Sequence, residues 1–330
     1  MGIIKYLKDF LTRKKQKITE TTLENFDDVR PRHPSHVING MHGKKFFRCD
    51  GKLFEPLYNE LRKNPDSSYD TYLNELIIQN PDYTPTRVSA MFKTVIDGIG
   101  HNDGANREIL SSRIANFMGV PTVYNCAFDT PSNGTILSVD YMRYGEHILD
   151  LCGTLDNIRP EGEDDGYFDI LFGHANLGKM LQMYVEALRF YKHYYNVNST
   201  KLVNDFAKEF ITRVHVLGDN DFGFHNFELS CDKDKNLRLM PMFDYEATFV
   251  SPNQQEIIRN IAYIKKYLPD FDLEKFNQRF AELVKPTNFK KLASGLDSNF
   301  AKSSYEFLKH QQSVFDSYTK YLDPENVKEL

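Results

Sequence analysis

The pattern of apolar residues changes character near residue 142, and that change constrains the fold more than any other feature of the chain. Before it, short strand patterns alternate with helical ones. Lys45–Arg48 and Val88–Ile96 read as strands, the second bounded by Pro85 and Gly98. Leu53–Leu61 and Tyr69–Ile78 carry helical periodicity. Residues 103–118 form a helix with Leu110, Ile114, Phe117 and Met118 on one face, stopped by Gly119 and Pro121. Val120–Phe128 and Thr135–Met142 are two further strands around a turn at Pro131–Gly134. After an acidic stretch at Arg159–Gly166, helical patterns occupy 167–195 and 199–217, one strand pair brackets 224–244, and 253–330 is helical throughout. The expectation is an α+β chain: a small mixed α/β lobe over 36–142, then a larger, mostly helical lobe over 143–330. Residues 1–35 form a lead-in of a basic helix and a polar linker, with Pro31 and Pro34 in its loop-like part.

Composition removes several classes. With 18 Gly and 14 Pro against 25 Phe and 19 Tyr in 330 residues, the chain is neither collagen-like nor mucin-like nor disordered. No apolar run approaches the ~20 residues of a membrane-spanning helix. The formal charge of −5 argues against a nucleic-acid groove over most of the surface, so no direct nucleic-acid contact is expected. That mild total conceals six basic groups within residues 1–17, opposed there only by Asp9. Ile3, Ile4, Leu7, Phe10 and Leu11 share one helical face in this segment, which suits a helix packed on the body; weak membrane-surface or partner contact is the alternative. The segment has no secretory h-region. Cys49, Cys126, Cys152 and Cys231 form no C-x-x-C pair, so reduced thiols in a cytoplasmic protein are expected.

The chemistry concentrates in Gly218-Asp-Asn-Asp-Phe-Gly-Phe-His-Asn226 and in Leu237-Arg-Leu-Met-Pro-Met-Phe-Asp244. A helix ends at Gly218, a loop carries acids and an amide, and a hairpin follows whose second arm ends on Asp244 among apolar residues. Phosphoryl transfer needs one carboxylate to orient the attacking hydroxyl. It also needs an amide and a second carboxylate to hold Mg²⁺ against the nucleotide phosphates. Asp221 and Asn226 have the D-x4-N spacing for these roles; taken alone, that spacing equally fits an ordinary turn. Upstream, Lys93 sits in the middle of a strand, where an ammonium needs an acceptor, and Glu108 lies on the next helix. The alternative there is an edge lysine facing water. Ile136–Met142, including Asp140 and Met142, lies where the lobes join and can line an adenine slot with its backbone or serve as a plain core strand. Phe190–Tyr195 reads as core packing with a few exposed tyrosines, and His215 as a structural histidine.

The segments GDNDFGFHN (218–226) and LRLMPMFD (237–244) resemble the catalytic loop and metal-binding segment of HipA-like serine/threonine kinases. Lys93 in FKT, and Glu108 in NREILSSRIANFMGVP, resemble that family's nucleotide-binding lysine and its following helix. The matched segments span residues 90–250 in the family's order. The resemblance implies a bilobal protein-kinase-like fold with ATP and Mg²⁺, or Mn²⁺ in its place, between the lobes. It implies Asp221 as catalytic base, Asn226 and Asp244 as metal ligands, Lys93 as phosphate anchor and Glu108 as its ion-pair partner. A protein hydroxyl would be the acceptor, and an antitoxin-like or regulatory protein a partner. Phosphatidylinositol kinases have a similar layout, so a lipid or small-molecule acceptor is a second reading, and a pseudokinase or interaction module a third. Three positions depart from the family. Phe222-Gly223 replaces its polar pair after the catalytic Asp, leaving His225 as the nearest histidine. Tyr83–Val88 contains no glycine ahead of Lys93. Tyr245-Glu246 follows the metal Asp, and Glu246 either adds a carboxylate or faces solvent.

Overall fold

Alternation along one strand organises the first half of the molecule. The computed structural model describes residues 23–25, 44–94, 103–128, 134–143, 145–158, 177–245, 247–250, 252, 254–324 and 327. The expected helix over residues 1–17 lies outside them. Strands β1 (Leu23–Asn25), β2 (Lys44–Asp50), β3 (Arg87–Thr94), β4 (Asn125–Ala127) and β5 (Thr135–Val139) form an antiparallel sheet ordered β1-β2-β3-β5-β4. On β3, Val88, Ala90 and Phe92 are buried on one face, and the two-residue period turns Lys93 to the other. A turn of 3-10 helix (Gly51–Phe54), α1 (Glu55–Lys63) and α2 (Asn74–Gln79) cover the first face, where Phe54, Leu57, Leu61 and Ile77 join Leu137 and Val139 in one core. Helix α3 (Gly104–Met118) covers the second. Its Ala105 and Ile109 pack on Ile136, the residue opposite Lys93 in the β3–β5 register.

Helix α3 stops as its sequence requires. Gly119 takes a left-handed conformation at φ 73°, and the Val120 N–H returns to the Ala115 carbonyl at 3.0 Å. The helix also belongs to the second core. Leu110, Ile114 and Met118 pack with residues of α5 (Leu177–Tyr191), α6 (Ser199–Ile211), α7 (Gln254–Tyr267), α8 (Leu273–Leu283) and α10 (Ser298–Tyr321). This half also holds β6 (His147–Leu149), α4 (Leu151–Asn157), β7 (Leu229–Cys231), β8 (Leu237–Leu239) and α9 (Pro286–Leu292). Strands β6, β7 and β8 form a second antiparallel sheet. Among the described residues no helix is long and apolar enough to cross a membrane.

Four expectations shift. Leu23–Asn25, inside the segment read as a linker, pairs with β2 and adds a strand to the first sheet. The strand read over Val120–Phe128 shrinks to Asn125–Ala127, because Pro121–Val123 crosses to other partners. Thr122 N–H donates to Ser68 O at 2.9 Å, and Val123 N–H to Met242 O at 3.1 Å. The helix read from Tyr69 begins only at Asn74, since Tyr69 is bridged to Thr122. Strand β6, too short to show a period, adds a third strand to the one strand pair expected of this half.

Candidate active site

The mid-strand lysine has its acceptors. Lys93 and Glu108 side chains are each only 2% exposed and form an ion pair between β3 and α3. The same ammonium pairs with Oδ1 of Asp244, which lies 151 residues further along the chain. Burying one cation is tolerable because two carboxylates meet it. Glu108 is held in turn: its Oε2 accepts from Asn125 Nδ2 at 3.2 Å. Asp244 occupies the left-handed region at φ 61°, which a non-glycine residue adopts only where its surroundings enforce it. Pro121–Val123 holds the chain just before it, with Met242 N–H donating to Pro121 O at 2.8 Å.

The loop read as catalytic hangs from a π-helical turn, Thr212–Leu217, that continues α6. Such turns displace side chains from the regular helical rows and recur at functional sites. Gly218 ends it at φ 58°, and a Cβ there would lie 2.1 Å from the Val250 carbonyl oxygen. Arg213, completely buried, anchors the loop. Its Nη1 donates to Asp219 Oδ2 at 2.9 Å and its Nε to Glu209 Oε1 at 3.3 Å. Its Nη2 donates to two carbonyls, Asn226 O at 3.3 Å and Phe243 O at 2.7 Å. The Asn226 and Asp244 segments therefore meet at a single nitrogen. Asp219 Oδ1 accepts the Asp221 N–H at 3.1 Å, and Asn226 Nδ2 donates to the Asp221 carbonyl. Asp221 itself is exposed, whereas Asn226 is buried. Phe222, in place of the resembled family's polar residue, is buried edge-on to Phe210 at 5.3 Å and pins the loop into the helical core. The side chain of His225 and residue Glu246 lie outside the described residues.

One guanidinium serves two buried carboxylates here, and the surplus shows in their protonation. Burial raises Glu209 to about 8, with Arg213 opposing, and burial also raises Asp219. With Asp219 holding the shorter bond to Arg213, Glu209 is the member that keeps a proton at neutral pH. His215 is the structural histidine its position suggested. It is buried, its Nε2 lies 3.1 Å from Asn260 Nδ2, and burial lowers it to about 3.

Asp140 and Met142 stand at the end of β5 beside the same strand exit, where the Tyr141 ring stacks on Phe243 at 6.2 Å. Their polar groups are engaged internally. Asp140 N–H donates to Ser89 O at 3.0 Å, its carbonyl accepts from Tyr72 N–H at 3.1 Å, and its Oδ1 accepts the Met142 N–H at 3.0 Å. A base lying there would meet amide donors already in use. Lys93 thus touches both Glu108 and Asp244, Asp221 and Asn226 are linked to them through Arg213 and Phe243, and Asp140 and Met142 lie beside the strand exit.

Sequence reading missed Arg213 and Asn125. An arginine inside the apolar run Phe210-Ile-Thr-Arg-Val-His-Val-Leu217 was the available signal for the first. It also missed Arg238, which joins the loop after β5 to β8: its Nη2 donates to Glu146 Oε2 at 2.7 Å, and it pairs with Asp70.

Among the described residues no three His, Cys, Asp or Glu side chains form a metal cage. The oxygen donors able to hold a hard divalent cation are the Asp244 carboxylate and Asn226 Oδ1, which accepts no hydrogen bond from the described residues.

No protein-family model matches the chain, and no curated protein matches it. Among solved structures, the chain is similar to the Helicobacter pylori proinflammatory kinase CtkA, at 12% identity and a TM-score of 0.50, covering 90% of this chain and 96% of that one. At that identity the likeness is one of fold, a kinase-like arrangement of mixed α and β elements.

Proposed function

We propose that the protein is an ATP- and Mg²⁺-dependent phosphotransferase of protein-kinase-like architecture, with residues 36–142 and 143–330 as two lobes around the site. The observation that carries the reading is Lys93, buried between Glu108 on α3 and Asp244 after β8. A structural lysine needs one counter-ion; a lysine shared between a helix glutamate and the strand-exit aspartate is placed to hand its charge to a phosphate. The similarity to a kinase fold supports the same reading.

Asn226 Oδ1 and the Asp244 carboxylate would hold a divalent cation, which when bound would supply charge neutralisation at the phosphates. Mn²⁺ satisfies the same oxygen donors. Lys93 donates to the non-transferred phosphates, and Glu108, steadied by Asn125, keeps the ammonium aimed. Asp221, exposed on the loop, accepts the proton of the incoming hydroxyl. As the new O–P bond forms, the bond from the γ-phosphorus to the bridging oxygen breaks, and its electron pair leaves on the nucleoside diphosphate. A protein serine or threonine is the acceptor we favour, following the HipA-like motifs. An antitoxin-like or regulatory protein, and membrane-surface contact through residues 1–17, complete the set of proposed partners.

The test is incubation with Mg·ATP and a protein acceptor such as casein or the chain itself, read by intact mass. Wild type should gain phosphate. Asp221→Ala and Asp244→Asn should lose at least about 100-fold in rate, the scale of a positioned proton acceptor or a charge-stabilising group. Equal incorporation by all three would refute the assignments.

A further inference from the structure

Arg213 does more than neutralise its neighbours. It is buried beneath the loop, with the rings of Phe227 and Tyr245 each 5.6 Å from its guanidinium carbon. Two of its hydrogen bonds go to carboxylates, but the other two go to uncharged carbonyls, those of Asn226 and of Phe243, the residue just before Asp244. Charge balance alone does not require them. They make one rigid, planar fork the common anchor of the loop that carries Asp221 and Asn226 and of the strand exit that carries Asp244. Asp219 extends the anchor by receiving the Asp221 N–H. The two segments flank the open end of the β7–β8 hairpin, beyond the Met240 N–H to Glu228 O bond at 2.9 Å, so the position of this fork sets the gap between the Asn226 amide and the Asp244 carboxylate.

We propose that Arg213 is a positioning residue for the divalent cation: by fixing Asn226 O and Phe243 O on one nitrogen, it presets the separation of the two oxygen donors that hold the metal. The inference rests on the reading of this site as a metal-dependent phosphotransfer centre. Lysine in its place keeps the charge facing Glu209 and Asp219 but cannot reach both carbonyls with fixed geometry. Groups that orient metal ligands from behind typically cost about 10–100-fold in metal affinity when removed.

The experiment titrates Mn²⁺ into the full chain with a non-hydrolysable ATP analogue and follows free Mn²⁺ by electron paramagnetic resonance, for wild type, Arg213→Lys and Arg213→Met/Asp219→Asn. The double variant removes the guanidinium together with the carboxylate it would strand, and its amide oxygen still accepts the Asp221 N–H. Near-UV circular dichroism selects the folded variants. The expected result is an Mn²⁺ half-saturation raised at least about tenfold in each folded variant, with nucleotide affinity in EDTA unchanged. A folded variant that binds Mn²⁺ like wild type, even with a lowered melting temperature, overturns the positioning role and leaves the phosphotransfer reading standing. Wild type that binds no Mn²⁺ with the analogue overturns that reading, and this proposal with it.

Discussion

Lys93 keeps its ammonium out of water because a glutamate from a helix and an aspartate from a distant strand exit converge on it. Neither partner is its sequence neighbour, yet the position was legible: a lysine in the middle of an apolar strand needs an acceptor. Gly218 was equally legible as a stop, but not as a contact. It carries a positive φ and sits against the Val250 carbonyl, and the Phe307 ring lies 2.5 Å from where a Cβ would be. Gly218→Ala therefore combines backbone strain with a clash against main chain. It should lower unfolding free energy by at least about 2 kcal/mol, read as a shift in urea midpoint at constant slope; an unchanged midpoint would count against this account. Arg213 stood out as an arginine in an apolar run, but its partners were not legible, because the carbonyls it holds come from segments 13 and 30 residues further on.

At the scale of elements, α3 is the piece that links the sheet to the helical core. Six hydrogen bonds fix it there. Arg113 Nη1 donates to Leu292 O at 2.7 Å, the last residue of α9, and to Ser294 O at 2.8 Å just beyond it. Ser111 meets Thr248 at 3.0 Å, Asp297 N–H reaches Asn106 Oδ1 at 3.3 Å, and Arg279 and Lys208 bind the carbonyls of Phe117 and Gly119. A helix tied at both ends and its middle holds Glu108 at a fixed height above Lys93. Arg113→Ala removes two charge-assisted bonds and should cost about 1.5–3 kcal/mol. It should also speed amide exchange along Gly104–Met118; exchange as slow as in wild type would show the tether to be idle. The helix itself was readable, since its apolar spacing and Gly119 stop are local. Strand β6 and the crossing of Pro121–Val123 were not, because three-residue pairings carry no period and depend on partners far along the chain.

For the molecule as a whole, two buried groups shape stability against pH. His215 stays neutral when folded, with its pKa lowered from 6.5 to about 3, so stability is present above pH 6.5 and lost as pH falls toward 3. Glu209, raised from 4.5 to about 8, acts in the opposite sense: its contribution is full below pH 4.5 and is lost as pH rises through 8. Each slope is about 1.4 kcal/mol per pH unit. Between 4.5 and 6.5 the two cancel; above 6.5 the glutamate dominates, and below 4.5 the histidine. Glu209→Gln should therefore flatten the decline expected of wild type between pH 6.5 and 8, measured by chemical denaturation across pH. An equal decline in both proteins would remove Glu209 from this role. The same division runs through the molecule. What the sequence determined by itself is local: the strand-rich and helix-rich halves, the ends of α3, the start of α6, the stop at Gly218 and the hairpin. These follow from periodicity, stop residues and side-chain chemistry over spans of a few turns. Only the tertiary structure decided that Lys93 meets Asp244, that one arginine ties the loop to the strand exit, and that the Asp140 and Met142 amides are spent on internal bonds. Each is a contact between segments far apart in the chain, and charge and hydrogen-bond balance in a buried site is settled only when those segments meet.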